Sequence, residues 1–344
     1  MNDTSTKRAI GCVLLTALVG VGYGCVKRSE TIRVEPDGTM HLLVEFEGDL
    51  EDVRQGGAML NDPGPWTVED QVVTKKDGNQ EMHRRATLVL PPGTEVPTDY
   101  AGKDETLSEV ALKFLTSLDI EQRPDGTYYH FKRVYRRRDS ARIAYFRHKL
   151  VDESLEKLED RKIEDLNPDE REQIARVLVE FEMIKTVVLA EAAADSMEPA
   201  LRQDDWLAMH QVIQDVFRQV GSDRVIELLL MEGDEAEDQI ELEVEKINAQ
   251  IEVGINRILT ERDPDGGLVQ TFQAAVDRQR RLQAITEDLQ DESFEVRLQL
   301  PGRIVGHNSL IGIRDDGQVE WEFDGQALND RDQVLLATSV VERR

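Results

Sequence analysis

The stretch FEVRLQL, residues 294–300, alternates apolar and polar side chains, and it follows residues 140–292, whose apolar spacing is three and four. Strict alternation marks a half-buried strand, so the chain returns to β structure near its end. VEWEF (319–323) repeats the alternation, Asp316-Gly317 supplies turn chemistry before it, and QVLLATSVV (333–341) closes the chain. A tail of 52 residues is small for an independent core, so its strands need a partner sheet.

That partner is found at the other end. ETIRV and MHLLVEF flank Asp37-Gly38, TVEDQVVTK and MHRRATLVL flank Asp77-Gly78, and LKFLTSLDIEQ and YYHFKRVYR flank Asp125-Gly126. Two alternating runs around an Asp-Gly pair read as a β-hairpin, because these residues tolerate the left-handed backbone of tight turns. The expected fold is α+β. An antiparallel β domain is assembled from both chain ends (25–139 and 293–344), with an acidic helical bundle (140–292) inserted between them. Separate β-α-β modules are the alternative.

In the insert, Ile174, Val177, Leu178, Phe181, Ile184 and Val188 form one helical stripe, and Ile240, Val244, Ile247, Ile251, Ile255 and Ile258 another. Asn167 before Pro168 predicts an N-cap and a first turn. Further helical patterns cover about 203–220, 224–231 and 268–289, for a bundle or long hairpin of four to six helices. Residues 151–292 hold 37 acidic against 15 basic side chains, a balance of −22 out of the total −27. Such a charge disfavours nucleic acid, whose phosphates would be repelled.

The N-terminal segment has the layout of an export signal. Lys7 and Arg8 precede sixteen uncharged residues, 9–24, and Cys25 follows Gly24 directly. Sixteen helical residues reach about 24 Å, short of the roughly 30 Å of a bilayer core. Cys12 and Cys25 are the only cysteines, so no disulfide framework or cysteine-based zinc site exists beyond this segment.

GYGC, residues 22–25, resembles the lipobox of bacterial lipoproteins, in which a small residue precedes the cysteine that is lipidated. The resemblance implies a signal peptide over 1–24 and a mature chain anchored to a membrane through Cys25, outside the cytoplasm in the bacterial cell envelope. Ordinary signal-peptidase cleavage and an uncleaved anchor are the alternatives. The tail VRLQLPGRIVGHNS…GQVEWEFDG…LLATS is also similar to the β domain of LppM-like envelope lipoproteins, which implies a membrane-associated β domain. That pattern often continues into a C-terminal membrane helix; here it runs into SVVERR, and a second anchor is not expected.

Catalytic signatures are absent from the sequence. His41, His83, His130, His148, His210 and His307 never fall within five residues of one another, and neither HExxH, HxH nor GxSxG occurs. DPDGG (263–267) places glycine too early for an EF-hand loop and reads as an interhelical turn. No catalytic residue, metal ligand or cofactor is assigned.

One basic segment stands out. KRVYRRRDSARIAYFRHK (132–149) carries eight Lys or Arg and one Asp. Lys132, Arg133, Arg136, Arg137, Arg138 and Arg142 are the candidate patch for an anionic headgroup, a glycan phosphate or an acidic partner. Internal pairing with the protein's own acidic helices, while the aromatics pack inward, is the reading expected over that external ligand. In strand geometry Tyr129, Phe131, Arg133 and Tyr135 share one face. A binding or scaffolding role, with an envelope protein as partner, is expected over an envelope hydrolase whose site is gathered from distant residues.

Overall fold

The computed structural model describes residues 26–50, 53, 64–75, 80–100, 105–138, 141–155, 158, 161, 165–198, 200–231, 234–290, 292–329 and 331–343. The signal segment, Cys25 and the Asp77-Gly78 turn lie outside the described residues. The described residues form two compact units, one within Tyr23–Ser140 and Arg281–Arg344, the other within Ala141–Arg280.

The first unit is built from β1 (Lys27–Val34), β2 (Met40–Asp49), β3 (Thr67–Thr74), β4 (Gln80–Leu90), a short helix α1 (Glu105–Val110), β5 (Phe114–Arg123) and β6 (Gly126–Tyr135). The tail adds β7 (Ser293–Gln299), β8 (Arg303–His307), β9 (Gly312–Ile313), β10 (Val319–Asp324) and β11 (Gln333–Glu342). They form two sheets, ordered β3-β4-β2-β1-β7-β10-β9 and β5-β6-β11-β8. Both sheets contain strands from both chain ends, so the fold is α+β with the helices inserted.

The antiparallel expectation needs one correction. β1 and β7 run parallel, with Ile32 opposite Leu298. This is the seam where the two chain ends meet in the first sheet; in the second, β6 and β11 meet antiparallel. Parallel neighbours cannot be joined by a tight hairpin, and here the whole intervening chain supplies the connection. Across the seam Ile32, Val34, Phe294, Val296 and Leu298 are buried on one face and pack with Tyr129, Phe131 and Tyr135 of the second sheet.

Two turns share one hydrogen-bond pattern. Gly38 N–H donates to Glu35 O and Glu35 N–H to Thr39 O, while Thr39 N–H reaches the Asp37 carboxylate. Residues Arg314, Asp316, Gly317 and Gln318 repeat all three bonds. Gly38 and Gly317 have φ of 91° and 83°, the left-handed position closing a three-residue hairpin loop.

The second unit begins with α2 (Ala141–Phe146), a π-helical turn (Arg147–Asp152) and a further helical turn, Glu153–Leu155. There follow α3 (Pro168–Asp195), α4 (Gln203–Gln219), α5 (Ser222–Leu229), α6 (Asp234–Arg262) and α7 (Gly267–Gln290). Asn167 caps α3 as expected, and Glu170 reaches back to the Asn167 N–H to complete a capping box. Ile174, Val177, Leu178 and Phe181 of the first stripe are buried. In the second stripe Ile240, Ile251 and Ile255 are buried, but Val244 is exposed. Asp263–Gly267 is the turn between α6 and α7, and the Asp263 carboxylate accepts from the Leu268 N–H. The change of period at 292 does not coincide with the unit boundary: Leu282, Ile285 and Leu289, in the last turns of α7, pack in the core of the β unit. Among the described residues no helix is long and apolar enough to cross a membrane.

Candidate functional site

Strand alternation divides the basic segment. On β6, Tyr129, Phe131, Arg133 and Tyr135 turn inward while Lys132 turns to solvent. Arg133 is 1% exposed, 2.6 Å from the Glu30 carboxylate. It also donates to Tyr100 Oη at 2.7 Å and lies 4.0 Å from the centre of the Phe114 ring. Burial, the largest single influence, opposes its charge, but Glu30, Tyr100 and Tyr135 together outweigh it and hold the guanidinium above its ordinary range.

Arg138 is buried as well. Its guanidinium donates to Thr286 Oγ1 and to the carbonyls of Ala111 and Leu282, all neutral, and burial pulls its pKa down to about 10. Arg133 and Arg138 are therefore removed from the expected surface patch. Both are structural cations of the β unit.

The other four divide further. Arg136 donates to Asp332 at 2.8 Å, and the Arg137 backbone N–H binds the second oxygen of the same carboxylate. The Arg137 amide, then the Arg136 side chain, hold Asp332 below the usual carboxylate range. Arg142 pairs with Glu191 inside the helical unit. Lys132 is exposed and has no ion-pair partner among the described residues. Only Lys132, Arg136 and Arg137 are left on the surface of the β unit.

Lys132 and Arg136 flank a groove of about 380 Å³ on the outer face of the second sheet. Val134 forms its floor, with Leu115, Asp332 and Val334 along its sides. The register places Leu115, Val134 and Val334 in one row across β5, β6 and β11, and Ser117, Lys132 and Leu336 in the next. Leu115, on the edge strand β5, and Val334 and Leu336, on the inner strand β11, are 45%, 38% and 41% exposed.

Between the sheets lies a second arrangement that the sequence did not signal. Arg28, Glu30, Arg133 and Glu292 are all buried, two cations and two anions. Arg28 approaches Glu292 at 2.9 Å, yet its three guanidinium nitrogens make no hydrogen bond among the described residues. It sits instead against the rings of Phe294 (4.7 Å), Phe46 (5.1 Å) and Tyr100 (5.7 Å). Burial raises the Glu292 carboxyl and Arg28 only partly opposes it. Beside this lattice is a cavity of about 10 Å³, lined by Glu30, Tyr100, Trp66 and Arg133, the size of one water. No substrate could enter it.

One trio of metal-ligating type occurs among the described residues: Glu47, Glu81 and His83 bring one ligand atom each to within 4.8 Å of the others. It escaped sequence reading because its members lie on β2 and β4 and meet only through strand pairing. Comparison with family models, with curated proteins and with solved structures finds no match to this chain.

Proposed function

We propose that this is a lipid-anchored protein of the bacterial cell envelope, held through Cys25, with a binding or scaffolding role. The observation that carries the binding reading is the outer face of the second sheet. There the exposed Leu115, Val334 and Leu336 surround Lys132, a cation left without an internal partner among the described residues. A surface that mixes exposed aliphatics with a free cation suits a segment of an envelope protein presenting acidic and aliphatic side chains together. β1 begins at Lys27, two residues after Cys25, so a lipid on that cysteine would hold the β unit close to the membrane. An envelope hydrolase is less well supported, because the cavity that the perturbed Tyr100 and Arg133 line has room for only one water.

Two measurements test the reading. Mass spectrometry of the mature N-terminus should find an acylated Cys25; an unmodified cysteine overturns the anchor. A photo-crosslinking residue placed at Leu336 in native membranes should capture a discrete partner, and Lys132→Glu should reduce that yield severalfold. A yield indifferent to the charge at 132 overturns this surface as the binding face.

A further inference from the structure

We propose that Glu47, Glu81 and His83 form a binding site for a divalent first-row transition-metal ion on the outer face of the seven-stranded sheet. The antiparallel register of β2 and β4 sets Glu47 directly opposite His83, and Glu81 precedes His83 by two residues on the same face. Met82 and Arg84 take the alternate, inward positions.

Several other carboxylates of this face already have cationic partners, although Asp49, directly opposite Glu81, has no ion pair among the described residues. Glu45 has Arg85 across from it, Glu295 has Lys27 and Arg297, and Glu320 has Arg297 and Arg314. Lys27 lies opposite Glu47 in the β1–β2 register, yet its ammonium is directed to Glu295. Glu47 and His83 have no hydrogen bond or ion pair among the described residues; Glu81 pairs with Lys75 at 3.1 Å. Carboxylates brought together across a strand pair repel, and a divalent cation converts that repulsion into attraction.

The donor set selects the ion. An imidazole nitrogen with two carboxylates suits zinc and its first-row neighbours, whereas calcium and magnesium take oxygen ligands almost throughout. Zinc at about 2.0–2.2 Å from each donor needs donor atoms about 3.4 Å apart. The trio must contract by rotation of Glu47, which is exposed and free to turn, and Glu81 must release Lys75, a surface pair that contributes little. Gln71, opposite His83 on β3, stands on the same face and can contribute an amide oxygen. Two neighbouring strands thus supply three protein ligands and leave the outer side of the ion to water.

Zinc titrated into the metal-free full chain, read by calorimetry and by competition with a chromogenic chelator, tests the site. One ion per chain is expected. His83→Ala and Glu81→Gln should each weaken binding at least tenfold, and His41→Ala, a histidine on the same sheet outside the trio, should leave it unchanged. Copper substituted for zinc should show nitrogen coupling in its paramagnetic resonance spectrum, lost in His83→Ala. No binding, or equal binding by the wild type and His83→Ala, overturns the proposal. So does displacement of zinc by a modest excess of calcium, which would mark a surface of carboxylates only.

Discussion

Glu30 and Arg133 meet 2.6 Å apart in the core of the β unit, each side chain 1% exposed. They connect the two sheets, since Glu30 belongs to β1 and Arg133 to β6, and the Tyr135 hydroxyl donates to the same carboxylate at 2.7 Å. Removing one member of a buried pair leaves an uncompensated charge, which costs about 3–5 kcal/mol. Glu30→Gln should lower the stability of the β unit by that amount in urea unfolding followed through Trp66 and Trp321, in a Trp206→Phe background. Glu30→Leu with Arg133→Met should recover most of the loss. A double variant no better than the single one would mean that the pair is a net stabilising element.

The cavity beside this pair should hold one ordered water. Glu30 Oε1 and Arg133 Nε are buried without hydrogen-bond partners among the described residues, and both side chains line the space. A water accepting from one and donating to the other satisfies both atoms. A high-resolution crystal structure should place it within about 3.2 Å of each. Density elsewhere in the core with none here would refute this.

Gly302, in the Leu-Pro-Gly turn after β7, should resist substitution. Its φ is 80°, and a side-chain carbon there would overlap the Val340 carbonyl of β11. Gly93 has a similar φ of 75° but open space around it. Backbone strain alone costs about 1–3 kcal/mol at such a residue. Gly302→Ala should therefore lower the unfolding midpoint clearly more than Gly93→Ala, which carries the strain without the clash. Equal effects would show that β11 yields at no cost.

The helical unit should weaken in acid through Asp205. This carboxylate on α4 accepts from Arg202 at 3.0 and 3.1 Å and from Arg262 of α6 at 2.5 Å. The Arg202 hydrogen bond first, with both guanidinium charges, holds it below its ordinary value of 3.8. A depressed folded-state pKa means stability that is fully present above the unfolded value and lost as pH falls through the folded one. Thermal unfolding by circular dichroism should thus show Asp205→Asn destabilised by about 1–3 kcal/mol at neutral pH. The difference from wild type should shrink below pH 3.8. A difference that stays constant down to pH 2 would assign the loss to packing alone.

The local features of this fold were readable because their causes lie within a few residues. Alternation in 294–300 and 128–135 placed strands, and Asp37-Gly38 and Asp316-Gly317 placed turns whose backbone favours those residues. Asn167 and Pro168 announced the start of α3. The sequence alone also implied that two half-built β segments must share a core, since neither end has enough apolar surface for its own. Pairing is another matter. That β7 would join β1 in parallel, and β11 enter between β6 and β8, depends on which strand edges meet once the chain has closed loops of hundreds of residues. The same long-range choice turned Arg133 and Arg138 from surface candidates into core cations. It also set Glu47 beside His83. Periodicity says which way a side chain points from its own strand; only tertiary structure decides whether water, a carboxylate or a ring waits on that side.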